Sequence, residues 1–482
     1  MAALVPPANT STNSFIKAWR IAYIKERTMI RSRYTAFAFV SASLVWCGTT
    51  FAQSGGDVPS GPLTLTLQQA IALALKQNRD ILIADQERYK SDAQIAEARS
   101  GAFPRLSLSG AYGRYIRKPV LFLPPNSPIN PTNSTAKFEL GSNNSYMMDA
   151  ALSQPLYSRK LGVALDIANT YHDYTEQSFR ATELDVVLAV KKGFYAVLLA
   201  NELLAANREG LQVVKANLEN VQSQYHHGTA AEFDLLRAEV ELANTEPLVI
   251  SAENNLLLAR NALKNLLAIP LNQEIELQGS FTFEETPRAM MDEAKRDALS
   301  KNPSMMKLGL QESLLEMNIS IERANFFPTL NLVGSYQWQT QDNTFTFSQY
   351  NWAQTLNIGL QLSLSLFDGF RTSARTQQAE IEYQEIHYAK LKAEEGLTIQ
   401  IQSAELKMAE AQKRIEGQEK SIDQAQKAVR IAQTRFKSGV GTQLELLDTQ
   451  VAMTRAQTNY ALAVYDYLVA RAEWRHAVGL SD

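Results

Sequence analysis

Residues 436–448 read FKSGVGTQLELLD, and residues 225–237 read YHHGTAAEFDLLR. The two stretches align without a gap at an offset of 211 residues, and each has a glycine at its fourth position and a leucine pair near its end. An apolar pattern with a helical period lies on both sides of each glycine, so each stretch is predicted to be a tight turn between two helices. The predicted tips of the two helical hairpins are residues 226–231, with Gly228, and residues 437–442, with Gly439 and Gly441, where glycine allows a left-handed backbone.

The helices that meet at these tips are predicted to be very long. No proline interrupts residues 161–225, which would span about 100 Å as one helix. Pro247 lies within the first returning helix and is expected to kink it. Apolar residues at 3–4 spacing indicate the seam of a coiled coil. The predicted seam contains Leu211, Val214, Leu218, Val221 and Tyr225, then Ile422, Ala425, Val429, Ala432 and Phe436, and Leu236, Val240, Leu447 and Val451 on the returning helices.

Strands are predicted at the far end of each hairpin. In the last of them every second residue from Leu356 to Leu366 is apolar, and the residues between are polar or glycine. Such alternation places the two sets on opposite faces of a sheet. The predicted strands cover residues 104–114, 146–157, 328–338 and 354–367.

Aromatic residues cluster near one end of these strands: Tyr112, Tyr146, Tyr336, Trp338, Tyr350 and Trp352. Aromatic rings at the edge of an apolar band are typical of a membrane interface. The edge of a soluble β-sandwich is the alternative. Residues 113–145, rich in Pro and Asn, and the polar residues 339–349 are predicted to be exposed loops without packed elements.

A second match, at an offset of 224 residues, shows that the hairpins belong to a larger repeat. Asn78 aligns with Asn302, and other aligned pairs follow: Ala74 with Ala298, Phe103 with Phe327, and Pro104 with Pro328. A unit of helix, strand, strand, long helix, turn and long helix therefore occurs twice. The predicted organisation is an N-terminal extension and signal peptide over residues 1–52, a first repeat over 53–270, a connector over 271–287 and a second repeat over 288–482.

The N-terminal region has the order of a secretory signal peptide. Arg31 and Arg33 precede an apolar run over residues 34–46, and small residues around Ala52 follow it. The apolar run is too short to span a bilayer comfortably, so cleavage is favoured over a membrane anchor. Export from the cytoplasm is therefore expected.

Met29 stands just before this signal, so residues 1–28 are interpreted as an upstream extension caused by the choice of start codon. Cys47 is the only cysteine, which excludes a disulfide framework and a multi-cysteine metal site. A lipid-modified cysteine normally follows a small residue, whereas Trp46 precedes Cys47, so simple cleavage is favoured over lipidation. After Gln53 no run of about 18 apolar residues occurs, and no membrane-spanning helix is expected.

Catalytic and cofactor motifs are absent from the sequence. It has no phosphate-binding glycine loop, no His-Glu-x-x-His and no Gly-x-Ser-x-Gly. His226 and His227 are adjacent in a predicted turn without further obvious ligands, so a solvated turn is favoured over a metal site. A formal net charge of −3 indicates no bias towards nucleic acid. We therefore predict no catalytic residues, no cofactor and no metal.

The doubled plan resembles the TolC-like outer-membrane efflux proteins. The resemblance covers residues 64–481, and its most specific stretch is residues 436–448 followed by Gln450, with the copy at residues 225–237. It implies an α/β membrane protein in which a long α-helical coiled-coil barrel continues into a transmembrane β-barrel. Four strands in one chain leave open edges, which lipid does not tolerate. Because the family forms trimers, twelve strands in a homotrimer are expected.

The resemblance implies a passive channel of a tripartite efflux or secretion system, and no enzymatic activity. The expected location is the outer membrane of a Gram-negative bacterium, with the helices extending into the periplasm. The implied partners are a periplasmic adaptor protein, an inner-membrane pump and outer-membrane lipid. The substrate (drug, metal ion or protein) is left open. One alternative is a periplasmic coiled-coil scaffold without a pore, against which the strand alternation argues, and another is a periplasmic enzyme.

The resemblance also assigns roles to residues at the tips. In the family, acids at the positions of Glu445 and Asp448 ring the closed inner end of the tunnel, and an acid at Asp234 joins a constricting polar link. The glycine turns, at Gly228, Gly439 and Gly441, are expected to contact the adaptor.

This chain departs from the best-known member of the family near the second tip. Gly441 replaces an arginine and Phe436 replaces a tyrosine. The lock that the arginine and the tyrosine belong to in that member, at the closed inner end of the tunnel, is therefore expected to be absent or differently built. Residues 442–445, TQLE, are also typical of a helix capping box. Capping and gating therefore both remain open for Glu445, and gating is favoured for Asp448.

Overall fold

The computed structural model describes residues 63–481, which belong to one compact unit, Gly61–Asp482. The predicted signal peptide and Cys47 lie outside the described residues. Residues 63–481 form eight α-helices: α1 (Leu67–Gln77), α2 (Arg79–Ser100), α3 (Arg159–His226), α4 (Glu232–Leu266), α5 (Arg288–Lys301), α6 (Pro303–Arg323), α7 (Arg371–Lys437) and α8 (Gln443–Ala477). The same residues form eight strands: β1 (Leu63–Thr66), β2 (Arg105–Arg114), β3 (Val120–Leu123), β4 (Ala136–Glu139), β5 (Asn144–Tyr157), β6 (Ile275–Gln278), β7 (Thr329–Asp342) and β8 (Ala353–Ser363). None of the helices within residues 63–481 is both long and apolar enough to cross a membrane.

Two long helical hairpins dominate the fold. Helix α3 has 68 residues and α7 has 67, so each extends for about 100 Å. Helix α4 packs along α3, and α8 packs along α7. The two hairpins meet where α3 contacts α8, as shown by the hydrogen bond of 3.2 Å from Gln457 Nε2 to Glu209 Oε2. Pro247 lies inside α4 without ending it.

Two buried asparagines make corresponding contacts in the two halves of the chain. The side-chain oxygens of Asn78 and Asn302 accept hydrogen bonds from the first turns of α2 and α6, at 2.8 and 2.9 Å. Their amide nitrogens donate to the last turns of the two returning helices, at Leu266 O and Ala477 O, both at 2.9 Å. Each asparagine therefore caps one helix and fixes it to the base of a hairpin.

A hydrophobic core lies beside each of these asparagines. In the first half, Ala74 of α1 and Phe194 of α3 belong to one buried cluster. In the second half, Ala298 of α5 belongs to another cluster with Tyr467 and Trp474 of α8. Burial of such large aromatic side chains is a main source of hydrophobic stabilisation, so the fold is anchored at the base of the hairpins.

A two-stranded parallel sheet occupies the region predicted to be a plain connector. β6 lies within residues 271–287 and pairs with β1, from Leu63 opposite Ile275 to Thr66 opposite Gln278. Neither strand is predicted by the sequence, because four residues are too few for a clear alternation.

The last predicted strand is shorter than expected. β8 ends at Ser363, whereas the alternation predicts a strand over residues 354–367. Ser363 pairs with Thr329, the first residue of β7. The preceding Pro328 has no amide hydrogen for a further ladder bond. β7 is conversely longer than predicted, because its residues up to Asp342 pair with β5.

The predicted seam on the returning helices is only partly covered within the described chain. Leu236, Val240 and Val451 are 53%, 59% and 58% exposed, whereas Leu447 is buried as predicted. Helix α4 packs mainly on α3, so the apolar residues on its opposite side have no cover within the described chain. A helical period shows that a helix has an apolar stripe but not which neighbour covers it.

One ion cluster joins α6 to α7. Glu312, whose side chain is 15% exposed, accepts hydrogen bonds from Lys390 Nζ at 2.7 Å and lies 2.8 Å from His387 Nδ1. The hydrogen bond from the Lys390 ammonium, followed by that from His387, lowers the pKa of the Glu312 carboxyl below its ordinary value. The carboxylate thus stays ionised and holds the two helices together.

Candidate functional site

The sheet formed by β2, β5, β7 and β8, here called the main sheet, has one apolar face. Its strands are antiparallel neighbours in the order β2-β5-β7-β8. Across one row the register aligns Leu108, Ala150, Tyr336 and Leu356. On the two edge strands the leucines of this face are exposed: Leu106, Leu108, Leu356, Leu360 and Leu362. An exposed apolar surface of this extent indicates that something other than water covers it.

The opposite face of the main sheet is polar. One row across it aligns Ser109, Asp149, Gln337 and Thr355, and the next row contains serine, alanine and asparagine. The side chains are small or neutral, apart from Asp149 and from Arg105 at the end of β2. A sheet with one apolar and one polar face suits a wall between lipid and water.

An aromatic cluster lies at the loop end of the main sheet. Three aromatic rings lie close to the ring of Tyr146, with centroid-to-centroid distances of 4.9 Å for Tyr112, 5.1 Å for Phe347 and 5.4 Å for Tyr350. Tyr112 and Tyr146 come from the strands, whereas the other two come from the loop between β7 and β8. Tyr336, which the sequence groups with this end, lies in the middle of β7 instead.

A second set of aromatic residues lies at the helix end of the sheet, and the strand alternation does not predict it. Its members are exposed or half-buried: Phe103, Tyr157, Phe326, Phe327, Phe367 and Phe370. Phe367 and Phe370 pack edge to face, with centroids 5.5 Å apart. Arg159, which begins α3, lies 4.5 Å from the ring centroid of Phe327. Aromatic residues therefore flank the apolar face at both ends, and phenylalanines just outside the strand alternation are the signal that could have revealed the second set.

The two hairpin tips have nearly the same backbone. Gly228 and Gly439 have φ of +73° and +72°, in the left-handed region that glycine adopts without strain. The amides after them close the helix ends by bonding five residues back, from Thr229 N to Gln224 O at 2.8 Å and from Val440 N to Arg435 O at 3.1 Å. An added Cβ at either glycine would meet nothing within 4 Å, so both glycines are open to a partner.

Gly441, unlike Gly228 and Gly439, does not have the left-handed backbone that was predicted for the tips. A Cβ at Gly441 would lie 2.9 Å from Arg435 Cβ, and 3.0 Å from Arg435 C and from Phe436 N. Its amide donates to Arg435 O at 3.0 Å. Glycine is therefore required here for the close approach of two backbone segments.

The three predicted gate acids lie near the starts of the returning helices, Asp234 and Glu445 in the first turn and Asp448 in the second. Asp234 is half-buried at the start of α4, while Glu445 and Asp448 are exposed and lie one turn apart on α8. The structure brings Glu445 and Asp448 onto neighbouring positions of one helix face. Glu445 Oε2 lies 3.5 Å from Arg435 Nε across the hairpin.

Capping is present at Thr442, but only half of the predicted capping box forms. Thr442 Oγ1 accepts a hydrogen bond from Glu445 N at 3.2 Å. The Glu445 carboxylate faces Arg435 instead of returning to the backbone of Thr442. The carboxylate of Glu445 therefore makes no hydrogen bond to the cap residue, and Asp448 takes no part in capping.

Unpaired polar side chains are buried where the two hairpins meet near the tips. Asn217 of α3 is 4% exposed, and Gln443 of α8 is 8% exposed. Within the part of the chain that the structure describes, neither side-chain amide has a hydrogen-bond partner. Gly210 lies beside Thr454, so the antiparallel register puts Asn217 level with the first turns of α8. Each unpaired buried amide costs about 1–3 kcal/mol of folding free energy, which lowers the stability that this contact can contribute.

Residues 63–481 contain no group of three His, Cys, Asp or Glu side chains arranged to hold a metal ion. A cavity of about 580 Å³ is lined by apolar residues of α1 together with Lys191 and Arg471. Lys191 Nζ donates to the backbone of Ser481 there, at 3.4 Å. The lining of this cavity therefore combines apolar side chains with the basic groups of Lys191, Arg471 and Arg475.

Comparison with known proteins identifies relatives over most of the chain. The family model described as outer membrane efflux protein matches residues 70–268 and 295–480. Alkaline protease secretion protein AprF of Pseudomonas aeruginosa is 24% identical over 438 residues, which cover 87% of each chain. Outer membrane protein TolC of Vibrio cholerae is 22% identical over 451 residues, covering 92% of this chain and 94% of that protein. The crystal structure of the CmeC outer membrane channel of Campylobacter jejuni superposes with a TM-score of 0.70 at 18% identity, covering 86% of this chain and 85% of that one.

Proposed function

This chain belongs to the outer membrane efflux protein family, and on that basis we propose that three copies of it form one passive duct across the outer membrane and the periplasm. It is the outer-membrane channel component of an efflux or secretion system. Its location is the outer membrane of a Gram-negative bacterium, and its helices extend into the periplasm. The family is a transport family, and we propose that the chain catalyses no reaction.

The proposal of a trimer rests on the open edges of the main sheet. β2 and β8 form its two edges, and neither has a partner on its outer side among the described strands. Unpaired backbone groups at a sheet edge are too costly to expose to lipid. Three main sheets joined edge to edge give a closed barrel of twelve strands, with the apolar face towards lipid and the polar face towards a water-filled lumen.

The helices support the same assembly. Both outer helices of the chain, α4 and α7, present exposed apolar side chains along their length: Leu236, Val240, Leu248, Ile250, Leu257 and Leu258 on α4, and Ile381, Leu391, Ile399, Leu406 and Ile431 on α7. Pairing of α4 with α7 of the next copy would cover both rows as a coiled coil. We therefore propose that the coiled-coil barrel continues the β-barrel into the periplasm.

We place the contact with a periplasmic adaptor at the two tips, and an inner-membrane pump beyond it. The support is the pair of open glycines, Gly228 and Gly439, which leave backbone accessible to another helical hairpin. Gly441 belongs to this surface indirectly, because it allows the second tip to close.

We propose that Asp234, Glu445 and Asp448 line the inner mouth of the duct. Three copies of each acid in a narrow ring would attract cations and repel anions. The support is that Asp448 takes no part in capping, and that only the backbone amide of Glu445 does so. The nearby Arg435 offsets part of the charge of Glu445.

A scaffold without a pore is the alternative function. It would need no polar sheet face opposite an apolar one, and no aromatic residues at both ends of the strands. The two unlike faces of the main sheet therefore favour the duct.

Cross-linking of the sheet edges tests the trimer. In a Cys47→Ser background, Ser109→Cys on β2 and Thr355→Cys on β8 place thiols on the two edges. A short bifunctional thiol reagent should convert this variant, in membranes, into a covalent trimer on a denaturing gel. The control is Ser335→Cys with Asn357→Cys, two register partners on β7 and β8, which should give only an internal link.

The edge variant decides between the two functions. A chain that stays monomeric and remains soluble without detergent would overturn the duct and favour the scaffold. Size measurement of the unmodified protein in detergent should independently give three copies.

A further inference from the structure

The segment between β2 and β5 contains an element that the duct does not require. β3 and β4 pair as an antiparallel ribbon, from Val120 opposite Glu139 to Leu123 opposite Ala136. This ribbon, here called the outer hairpin (residues 119–140), corrects the prediction of a loop without packed elements. It lies beyond the loop-end aromatic cluster, because β2 ends at Arg114 and β5 begins at Asn144.

The outer hairpin is a built structure. Asn130 is 4% exposed, and its side-chain amide donates to Leu123 O, Pro124 O and Ser134 O at 3.3, 3.2 and 2.9 Å. At the base of the hairpin, Leu140 N donates to Pro119 O at 2.8 Å. These bonds hold the turn and the base, so the side chains of the ribbon keep fixed faces.

One face of the outer hairpin is entirely apolar. Leu121 lies opposite Phe138, and Leu123 lies opposite Ala136; directly opposed residues share one face of a ribbon. Leu121 is 45% exposed and Phe138 is 57% exposed. A two-stranded ribbon is marginal in water without cover for such a face.

The charge of the outer hairpin and of the residues that flank it is strongly positive. Residues 113–143 contain four basic residues and a single acid, Glu139, in a chain whose net charge is −3. The basic residues are Arg114, Arg117, Lys118 and Lys137. Within residues 63–481 none of the four forms an ion pair with a carboxylate, although Lys137 Nζ lies 5.8 Å from the ring centroid of Phe122.

We propose that the outer hairpin lies in the outer leaflet and binds a phosphorylated anionic lipid of that leaflet. The apolar face enters the boundary between headgroups and acyl chains, and the basic residues contact the lipid phosphates. Lys137 lies on the second face of the ribbon, opposite Phe122, and an element with one apolar face and basic residues outside that face is typical of a membrane interface. Charge complementarity selects a phosphorylated lipid over a zwitterionic one. The inference rests on the proposed embedding of the main sheet in the outer membrane.

Native mass spectrometry of the full-length protein in detergent tests this binding. The probe is lipid A, a diphosphorylated glycolipid, compared with its dephosphorylated form. The test variant combines Arg117→Gln with Lys137→Gln, both exposed positions. The matched control combines Lys427→Gln with Arg430→Gln, an equally exposed pair on α7 that forms no ion pair among the described residues.

The unmodified protein should retain lipid A in preference to the dephosphorylated lipid. The test variant should lose about tenfold or more in affinity, and the control should change by less than about twofold, because each basic residue near an anionic surface contributes separately. Equal losses in both variants, or none in the test variant, would overturn the proposal.

Two further measurements distinguish a lipid from other ligands that could contact the outer hairpin. Competition by millimolar inorganic phosphate alone would show a site for a free anion and would overturn a lipid site. Phe138→Ser should weaken lipid binding with the trimer intact. If it dissociates the trimer and leaves lipid binding unchanged, the apolar face contacts another copy of the chain. The same spectra report oligomeric mass, so a monomer counts against the duct, whereas an intact trimer without lipid counts only against the hairpin.

Discussion

Replacement of Gly441 by alanine should loosen the second hairpin tip and leave the first unchanged. The new Cβ would lie 2.9 Å from Arg435 Cβ and 3.0 Å from two backbone atoms, Arg435 C and Phe436 N. Backbone atoms cannot rotate away as the end of a side chain can, so the turn itself must open. The amide of Gly441, which donates to Arg435 O at 3.0 Å, would lose this bond.

The expected cost follows from this overlap. Forcing one extra carbon into a closely packed site costs about 1–3 kcal/mol. The tip should therefore open locally about 5- to 150-fold more often, at a factor of ten for every 1.4 kcal/mol. The rest of α7 and α8 should keep its stability, because the hydrophobic core lies at the far end of the hairpin.

Hydrogen–deuterium exchange measures this opening directly. Peptides covering residues 434–447 should exchange faster in Gly441→Ala, while peptides covering residues 223–236 should not change. The matched control is Ala230→Gly, since Ala230 holds the place of Gly441 in the first tip. Unchanged protection of residues 434–447 in Gly441→Ala, or equal loosening of both tips, would refute the reasoning.

Four further results are expected. Gly439→Trp should abolish export with normal trimer and membrane levels, measured by transport and blotting, whereas Gly439→Asn, which tolerates a left-handed backbone, should retain more export. Glu445→Gln with Asp448→Asn should reduce cation preference in single-channel recordings; unchanged selectivity would place the constriction elsewhere. Asn217→Leu, which removes an unpaired buried amide, should stabilise the contact between α3 and α8 by about 1–3 kcal/mol, measured as a higher thermal midpoint. Glu312→Gln should lower the thermal midpoint near neutral pH by the equivalent of about 1 kcal/mol; because the folded pKa of Glu312 is lowered, this difference should disappear as pH falls through that pKa.

The membrane strands and the long helices could be predicted because their patterns are repeated and local. Alternation in residues such as Leu356, Leu360 and Leu362 needs only the strand itself to define two faces. The left-handed turns at Gly228 and Gly439 could likewise be predicted, because a glycine directly after a helical apolar pattern commonly ends the helix in a left-handed conformation.

The features that the sequence could not reveal depend on contacts with residues that are not near in the sequence pattern. The exposure of Leu236 and Val240 depends on which helices surround α4, and no local period reports that. The role of Gly441 is set by its distance from Arg435 and Phe436 across the turn. The outer hairpin was hidden because four-residue strands between prolines resemble a loop.

The site residues were located by resemblance rather than by physical pattern. Asp234 and Glu445 look like ordinary acids in the first turn of a helix, where the helix dipole favours them, and Asp448 follows in the second turn of α8. Thr442 indeed caps α8, so part of the signal was a capping signal. Only an ion-selectivity measurement separates the two roles.

The parallel pair of β1 and β6 imposes an order on the maturation of the chain. Leu63 finds its partner in Ile275, which is made 212 residues later. Closing so long a loop is slow compared with forming a helical hairpin from adjacent residues. Because β6 follows α3 and α4 in the chain, β1 cannot pair with it until the whole first hairpin has been made. The pairing of β1 with β6 therefore encloses the first hairpin between two strands of one small sheet.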